Sequence, residues 1–296
     1  MIHLKGKTAA VVAGGNGIGR AIALALAAEG VNIVVADIRA ADAQHVSDEI
    51  NAKGGCALAI GTDVTKLADM QHLADAAFNR FGTVEILCNN AGVTVRPFRA
   101  IWDTSYADLQ YMINTNIWGL LHGYYAFVPR MRLQKGEKHI VNTSSMASIL
   151  TIPSLAIYTL SKGALDGFSR VTAEELRADG FGVTILYPGL VNTSAAQRSG
   201  ELRSREEQRA DAAVRPYASY AQDRGESLTQ LSAGRGPLAP ITGGASSQEA
   251  IEAEAVGLMV VNAIKQNRPV CMTHPVPTEA IQKRVAAWMD GYKPLE

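Results

Sequence analysis

Three side chains near the middle of the chain have the chemistry and spacing of an acid–base group. Tyr158 and Lys162 are four residues apart, and Ser145 precedes Tyr158 by thirteen positions (158 − 145 = 13). Residues four apart lie on one face of a helix, where a lysine ammonium can favour the ionised form of a phenol. The same spacing also describes an ordinary surface pair, so the surrounding sequence has to decide between these two interpretations.

The regions around this trio alternate between short apolar runs and alanine-rich amphipathic segments. The apolar runs predict strands at 8–12, 32–36, 57–61, 84–88, 139–143 and 183–186. The amphipathic segments predict helices at 17–29, 40–53, 67–81, 104–132 (long or broken) and 156–179. Strands that are apolar almost throughout are typical of a parallel sheet covered on both faces. The alternation therefore predicts an α/β protein with a Rossmann-type, doubly wound parallel sheet in three layers, α/β/α.

The regular alternation stops after Asn192. Residues 194–247 are rich in Ser, Gly, Arg and Glu, with weakly helical pieces such as 201–213. A segment of this length in a compact domain is usually an active-site lid or lacks fixed structure, and we expect an extended substrate lid. The C-terminal helical extension, 248–296, is predicted to contain a helix at 248–266, a strand at 270–273 and a helix at 279–289. Because no linker or internal repeat divides the chain, residues 1–296 are expected to form a single domain.

A glycine-rich turn joins the first predicted strand to the first predicted helix. Glycines let a backbone turn tightly and approach a pyrophosphate, and the following helix N-terminus supplies N–H donors. The alternative interpretation is that the glycines only form the connection between a strand and a helix. The residues of the turn that we expect to bind a dinucleotide cofactor are Gly14, Asn16, Gly17, Ile18 and Gly19.

Asp37 strengthens the dinucleotide interpretation. It closes the second predicted strand, eighteen residues after Gly19 (37 − 19 = 18), where a carboxylate can accept hydrogen bonds from the adenosine ribose hydroxyls. A carboxylate there repels a 2′-phosphate, so NAD is favoured over NADP. Arg20 and Arg39 are the counter-argument, since an arginine can pair with a phosphate; we expect both to be solvated. An ordinary helix N-cap is the alternative role for Asp37.

Polar and small residues also follow the third and fourth predicted strands. Asp63 and Val64 follow the third strand and could contact the adenine ring, and Asn90, Ala91 and Gly92 follow the fourth and could pass beneath a cofactor. Each of these strand ends could by itself be explained by residue types that favour turns. Ligands of open α/β sheets bind beyond the carboxyl ends of the strands, so four such strand ends in succession point to a cofactor site.

The overall composition excludes several other classes of function. Lys and Arg total 28, as do Asp and Glu, which leaves no electrostatic footprint for nucleic acid or an acidic membrane. Cys56, Cys88 and Cys271 are widely spaced and odd in number, as expected for reduced thiols rather than a disulfide framework. The histidines lack metal-ligand spacing, so no metal site is expected. Without a signal-peptide pattern or a membrane-length apolar run, the chain is expected to be cytoplasmic.

Taken together, these motifs resemble the short-chain dehydrogenase/reductase family over residues 5–193. Further matching motifs are Asn116-Ile117-Trp118-Gly119, Ser144-Ser145, Tyr158-x-x-x-Lys162 and Pro188-Gly189-Leu190-Val191-Asn192-Thr193. The chain departs from the family where Val12 and Ala13 stand for its usual Thr-Gly, and where Ser148 stands for a common glycine. The C-terminal third resembles a subgroup that acts on bulky aryl or alicyclic secondary alcohols.

The resemblance implies a role for each member of a catalytic tetrad. Tyr158 would be the base in alcohol oxidation and the acid in ketone reduction, with Ser145 bound to the substrate oxygen. Lys162 would lower the pKa of the phenol and hold the nicotinamide ribose. Asn116 would bind a water that links the lysine to solvent. The nicotinamide would be bound by Pro188, Gly189, Val191 and Thr193.

The resemblance predicts an NAD-dependent oxidoreductase that interconverts a bulky secondary alcohol and its ketone. We expect the substrate pocket to be bounded by Val95, Met146, Leu155 and Tyr187, with 194–247 as its lid. A catalytically silent NAD(H)-sensing protein of the same fold and an NADP-dependent ketoreductase are the alternatives. Family members assemble through the helices predicted at 104–132 and 156–179, so a homodimer or homotetramer is expected.

Overall fold

The predicted α/β architecture is confirmed by a computed structural model, which describes residues 3–203, 214–223, 249–276 and 278–291. Its strands are β1 (Thr8–Val12), β2 (Asn32–Asp37), β3 (Ala57–Gly61), β4 (Ile86–Asn89), β5 (Lys138–Thr143), β6 (Phe181–Tyr187), β7 (Val191–Asn192), β8 (Ile251–Glu252) and β9 (Val270–Met272). Its helices are α1 (Gly17–Ala28), α2 (Ala40–Ala52), α3 (Leu67–Phe81), α4 (Tyr106–Ile113), α5 (Gly119–Arg132), α6 (Ala156–Arg177), α7 (Ala195–Glu201), α8 (Tyr217–Asp223), α9 (Ala253–Lys265) and α10 (Thr278–Asp290).

Seven of these strands form one parallel sheet in the order β3-β2-β1-β4-β5-β6-β9. The register aligns the ends of the central strands: Val12 of β1 is level with Ala36 and with Asn89, and Asn89 is level with Asn142. The loops that leave these strands therefore open along one edge of the sheet. The chain order places the crossover between the two halves beside β1 and β4, where open α/β sheets bind ligands.

Both faces of the sheet are covered by helices, which explains the continuous apolar strands. Along β1, Ala10 and Val12 pack with residues of α3, α5 and α6 on one face. Ala9 and Val11 pack with residues of α1, α2 and α9 on the other face. Successive strand residues point to opposite faces, so each strand needs apolar residues at nearly every position.

The helix predicted at 104–132 is broken into α4 and α5. A π-helical turn, Asn114–Trp118, joins the two, and the Ser105 side chain accepts a hydrogen bond from the Asp108 N–H at the start of α4. Several large apolar side chains of α4, α6 and the turn face solvent in the single chain, among them Tyr106, Trp118, Leu160 and Val171. The homodimer or homotetramer through these helices stays a prediction.

The C-terminal third differs most from the sequence-based prediction. The predicted lid contributes α7 and α8, while residues 204–213 and 224–248 lie outside the described residues, as does most of the weak helix expected at 201–213. The helix expected from 248 begins only at Ala253, after the two-residue strand β8, which pairs with β7. Such short strands have no periodicity to detect. The strand and helix expected at 270–273 and 279–289 correspond to β9 and α10. That all 296 residues form a single domain stays a prediction.

Among the described residues, the helices are all too short or too polar to cross a membrane.

The packing of α9 against α1 depends on a glycine. A Cβ atom at Gly257 would lie 2.4 Å from the Ala21 carbonyl oxygen, whereas at Gly167 of α6 it would meet nothing within 4 Å. We therefore expect Gly257→Ala to lower the free energy of unfolding by about 1–3 kcal/mol, because the helices must separate. The matched change Gly167→Ala should raise it by about 0.5–1 kcal/mol through helix propensity. Urea titrations of both variants test this, and equal effects would contradict the close packing.

Candidate active site

One cavity of about 660 Å³ lies at the carboxyl edge of the sheet, a volume in the usual range for ligand pockets. The loops after β1 to β6 all contribute to its wall. The predicted residues that line it are Asn16, Gly17, Ile18, Asp37, Asp63, Val64, Asn90, Ala91, Gly92, Ser145, Met146, Leu155, Tyr158, Lys162, Pro188, Gly189, Val191 and Thr193. The predicted cofactor, catalytic and substrate residues thus meet in a single continuous space.

Five predicted residues lie outside the lining of this cavity: Gly14, Gly19, Val95, Asn116 and Tyr187. Val95 is buried in a separate cluster with Val93 and Met112. Tyr187 is also buried, and its phenol hydrogen-bonds to the Asp166 carboxylate rather than facing the cavity. Nearness to a motif in the sequence did not fix the direction in which these two side chains point.

Gly14 and Gly19 do not line the cavity, but the turn needs both because a side chain at either position would collide with the backbone. A Cβ atom at Gly19 would lie 2.0 Å from the Ala13 carbonyl oxygen, and at Gly14 it would lie 2.8 Å from the Val11 carbonyl oxygen. Ala13 itself has a φ of +55°, the left-handed region that glycine adopts without penalty. This alanine stands where the resembling family has its first glycine, so the turn keeps its shape at a cost of roughly 1–2 kcal/mol.

Asp37 lies beneath the glycine turn. Its carboxylate accepts hydrogen bonds from the Gly15 N–H at 3.0 Å and from the Arg39 N–H at 3.1 Å. Burial raises the pKa of this carboxyl above its ordinary value, and the two N–H donors offset part of that rise. A Cβ atom at Gly15 would lie 2.9 Å from the carboxylate, so glycine is needed for this close approach.

The Arg39 and Arg20 side chains near Asp37 are partly exposed to solvent, and each also forms an ion pair. The Arg39 guanidinium lies 2.6 Å from Glu201 of α7, and Arg20 lies 2.6 Å from Glu49 of α2. A second ion pair of α7 joins Arg198 to Asp42 of α2. These ion pairs therefore hold α7, at the start of the predicted lid, across the rim of the cavity beside Asp37.

Tyr158 and Ser145 form the acid–base part of the site. Ser145 follows β5 and caps a short 3₁₀ turn, where its Oγ accepts a hydrogen bond from the Ala147 N–H at 3.1 Å. Burial raises the pKa of the Tyr158 phenol above its ordinary value, and the hydrogen bond with Ser145 offsets only part of that rise. Burial therefore opposes the lowering of the phenol pKa that the resemblance implies for Lys162.

Lys162 is buried beneath the cavity floor, with 2% of its surface exposed. Its Nζ donates a hydrogen bond to the Thr143 carbonyl oxygen at 2.8 Å and lies 5.9 Å from the centre of the Tyr158 ring. A Cβ atom at Gly92 would lie 2.9 Å from this Nζ, so the glycine leaves room for the ammonium. Burial lowers the pKa of Lys162 to about 8, and the charge of Asp166 counters part of that fall.

Asn116 holds the loop that covers Lys162. Its Oδ1 accepts from the Val93 N–H at 2.7 Å, and its Nδ2 donates to the Val93 carbonyl and to Ser161 Oγ, both at 3.0 Å. Both amide hydrogens are thereby used in tying the loop after β4 to α6. The geometry gives Asn116 a positioning role, and the water link to Lys162 stays a prediction.

Ser144 fixes the other side of the same region. Its Oγ donates to the Asp166 carboxylate at 2.5 Å, which joins the end of β5 to α6. Because Ser145 follows directly, this contact sets where the candidate oxygen-binding hydroxyl stands relative to Tyr158.

The cavity is also lined by residues that the sequence did not single out: Arg96, Phe98, Tyr111, Ile152, Ser199 and Leu202. Tyr111 of α4 donates its hydroxyl to the Ser199 carbonyl at 2.9 Å, which holds α7 against α4. Below it, Arg203 and Arg99 both pair with the fully buried Asp108. No local motif marks these residues, because they come together only when α7 folds back onto α4.

Comparison with known proteins identifies relatives of this chain. The family model described as short chain dehydrogenase matches residues 7–204. Over 196 residues the chain is 34% identical to a 1-deoxy-11-beta-hydroxypentalenate dehydrogenase of Streptomyces avermitilis, covering 65% of this chain and 71% of the relative. It is 32% identical over 196 residues to a diacetyl reductase [(S)-acetoin forming] of Staphylococcus epidermidis, covering 66% and 75%. A short-chain dehydrogenase/reductase from Burkholderia phymatum, solved in complex with NAD, superposes with a TM-score of 0.81 at 29% identity, covering 100% and 99% of the two chains.

The buried charge of Lys162 makes stability depend on pH. Because its folded pKa of about 8 lies below the ordinary 10.5, the unfolded chain binds more protons between these values. The wild type should therefore gain up to about 3 kcal/mol from this group as pH rises from 8 to 10.5. Lys162→Met removes that gain, so the variant should be relatively most stable at neutral pH. Urea titrations at pH 7 and pH 10 test this, and the same pH dependence in both proteins would refute it.

Proposed function

The chain belongs to the short-chain dehydrogenase family, and on that premise we propose an NAD-dependent oxidoreductase that interconverts a bulky aryl or alicyclic secondary alcohol and its ketone. The observation that carries the proposal is that one cavity contains both the Asp37 carboxylate and the Ser145, Tyr158 and Lys162 side chains. A dehydrogenase of hydroxypentalenate and a reductase of diacetyl among the relatives support this type of reaction.

The described residues fit a dinucleotide. The glycine turn lets the backbone approach closely, since side chains at positions 15 and 19 would collide with neighbouring atoms, and it leads into the N-terminus of α1. Asp37 would bind the adenosine ribose hydroxyls, with Asp63 and Val64 beside the adenine. Asn90, Ala91 and Gly92 would form the floor. When bound, the nicotinamide supplies or accepts the hydride.

Charge at the adenosine end favours NAD over NADP. The Asp37 carboxylate would repel a 2′-phosphate, and Arg39, the cation that follows it on the cavity wall, is paired with Glu201. Binding a phosphate there would require Arg39 to leave that carboxylate. The NAD complex of the Burkholderia phymatum relative also supports NAD.

Tyr158 would exchange the proton of the reaction. In alcohol oxidation the substrate hydroxyl proton passes to Tyr158 Oη as the carbinol carbon loses its hydride, and in ketone reduction the phenol returns it. Ser145 Oγ would hold the reacting oxygen. With a pKa of about 8, Lys162 is mostly protonated at pH 7 and presents positive charge below the ring, which favours the phenolate. Because burial alone raises the phenol pKa, this positive charge has to act together with that of the oxidised cofactor.

Removal of the phenol hydroxyl is the direct test of this role. Tyr158→Phe should lower kcat/KM by at least about 10²-fold for every alcohol in an aryl and alicyclic panel assayed by NADH absorbance. Binding of NADH, measured by its fluorescence, should change little. Tyr106→Phe on the exposed surface of α4 is the matched control and should keep full activity. An active Tyr158→Phe enzyme would exclude the mechanism, and tight NADH binding without turnover in the wild type would favour a sensor.

The cofactor preference can be tested at Asp37. Asp37→Ala removes the charge that opposes a 2′-phosphate, so the ratio of kcat/KM for NAD to that for NADP should fall by roughly 10–100-fold, or about 1.4–2.8 kcal/mol. Asp48→Ala on the exposed face of α2 serves as the control, and its ratio should not change. A wild-type enzyme that prefers NADP would contradict the proposed cofactor.

A further inference from the structure

Arg96 places a cation on the wall of the substrate end of the cavity. It lies on the loop between β4 and α4, and its guanidinium carbon lies 4.7 Å from the centre of the Phe98 ring. The side chain remains partly exposed, so a ligand can reach it. The apolar side chains of Ile152, Leu155 and Leu202 contribute to the lining of the same cavity.

The other arginines that line the cavity or lie close to its lining residues are paired with carboxylates. Arg39 pairs with Glu201, Arg198 with Asp42, and both Arg99 and Arg203 with Asp108. Within 3–203, 214–223, 249–276 and 278–291, Arg96 forms no such ion pair. Burial lowers the pKa of Arg96 below its ordinary value, and no acidic neighbour contributes to that shift. Arg96 therefore lines the cavity as an accessible guanidinium without a carboxylate partner from these parts of the chain.

We propose that the substrate is a carboxylated secondary alcohol or ketone, whose carboxylate Arg96 binds while its carbinol or carbonyl group reaches Ser145 and Tyr158. This inference rests on the proposed function, because it concerns the substrate of the same site. A guanidinium presents two parallel N–H donors that match the two oxygens of a carboxylate.

A carboxylate fits the charge of this wall better than a phosphate does. The other cations that line the cavity are engaged: Arg39 and Arg198 in ion pairs, and Lys162 with the Thr143 carbonyl. One guanidinium therefore balances one negative charge. Fixing the substrate at two ends, with an apolar body between, also sets which face of the carbonyl lies towards the hydride.

The test compares acids with their neutral esters. We would measure NADH-dependent reduction of para-acetylbenzoic acid, of its longer biphenyl analogue and of the methyl esters of both acids. The two acids place the carboxylate at different distances from the ketone carbonyl. Variants are Arg96→Met, Arg96→Lys and the control Arg80→Met. Arg80 also stacks on the next aromatic ring, with its guanidinium carbon 5.1 Å from the Phe81 centroid, but it lies on α3 outside the cavity lining.

The wild type should prefer at least one acid over its ester by about tenfold in kcat/KM, mainly through KM, since the contact is partly exposed. Arg96→Met should abolish this preference by raising KM for the acid about tenfold more than for the ester, Arg96→Lys should keep part of the preference, and Arg80→Met should not alter it. Raising the salt concentration should weaken the preference, because the pair is accessible to ions.

Equal use of acids and esters by the wild type, or a preference that survives in Arg96→Met, would overturn this inference and leave the proposed function standing. If the wild type reduces none of the four ketones, the proposed function fails for this class, and binding decides the inference. Dissociation constants are then taken from quenching of NADH fluorescence in the enzyme–NADH complex. Tenfold tighter binding of the acid that is lost in Arg96→Met supports the carboxylate site, and equal binding of acid and ester refutes it.

Discussion

The parallel alignment of seven strands is the constraint on which the other features of this protein depend. It brings every carboxyl end to one edge, and the register keeps Val12, Asn89 and Asn142 level across the central strands. Loops that are far apart in the sequence therefore meet along a single cavity. Because both faces of the sheet are covered by helices, this edge is where backbone donors and polar side chains can reach a ligand without disrupting the core.

At that edge of the sheet, the charge of Lys162 depends on how tightly the side chain is packed. Burial works against its charge and lowers its pKa to about 8. The ammonium is nevertheless accommodated, because Gly92 leaves space for it and the Thr143 carbonyl oxygen accepts a hydrogen bond from it. Asn116 fixes the loop that contains Gly92, which explains why a polar side chain is kept inside a π-helical turn. The site thus maintains a positive charge beneath the Tyr158 ring at the expense of folding stability, a common cost of functional sites.

The helix α7 is connected to several elements around the cavity. Its ion pairs with Arg39 and Asp42 lie beside Asp37. The Ser199 carbonyl oxygen accepts a hydrogen bond from the Tyr111 hydroxyl of α4, and Arg203, just after the helix, pairs with buried Asp108. The loop after β2, α4 and α7 are therefore joined into one packed unit around the cavity.

The sequence alone determined the alternation of strands and helices, the glycine turn and Asp37, because these depend on local periodicity and on residue types at strand ends. It also grouped Ser145, Tyr158 and Lys162, whose spacing along one segment is preserved on folding. Only the tertiary structure decided that Val95 and Tyr187 point away from the cavity and that Ala13 adopts the conformation of a glycine. It alone placed Arg96 and residues of α7 in the lining of one cavity. Side-chain direction and contacts between distant segments follow from packing in three dimensions, which no short pattern in the chain encodes.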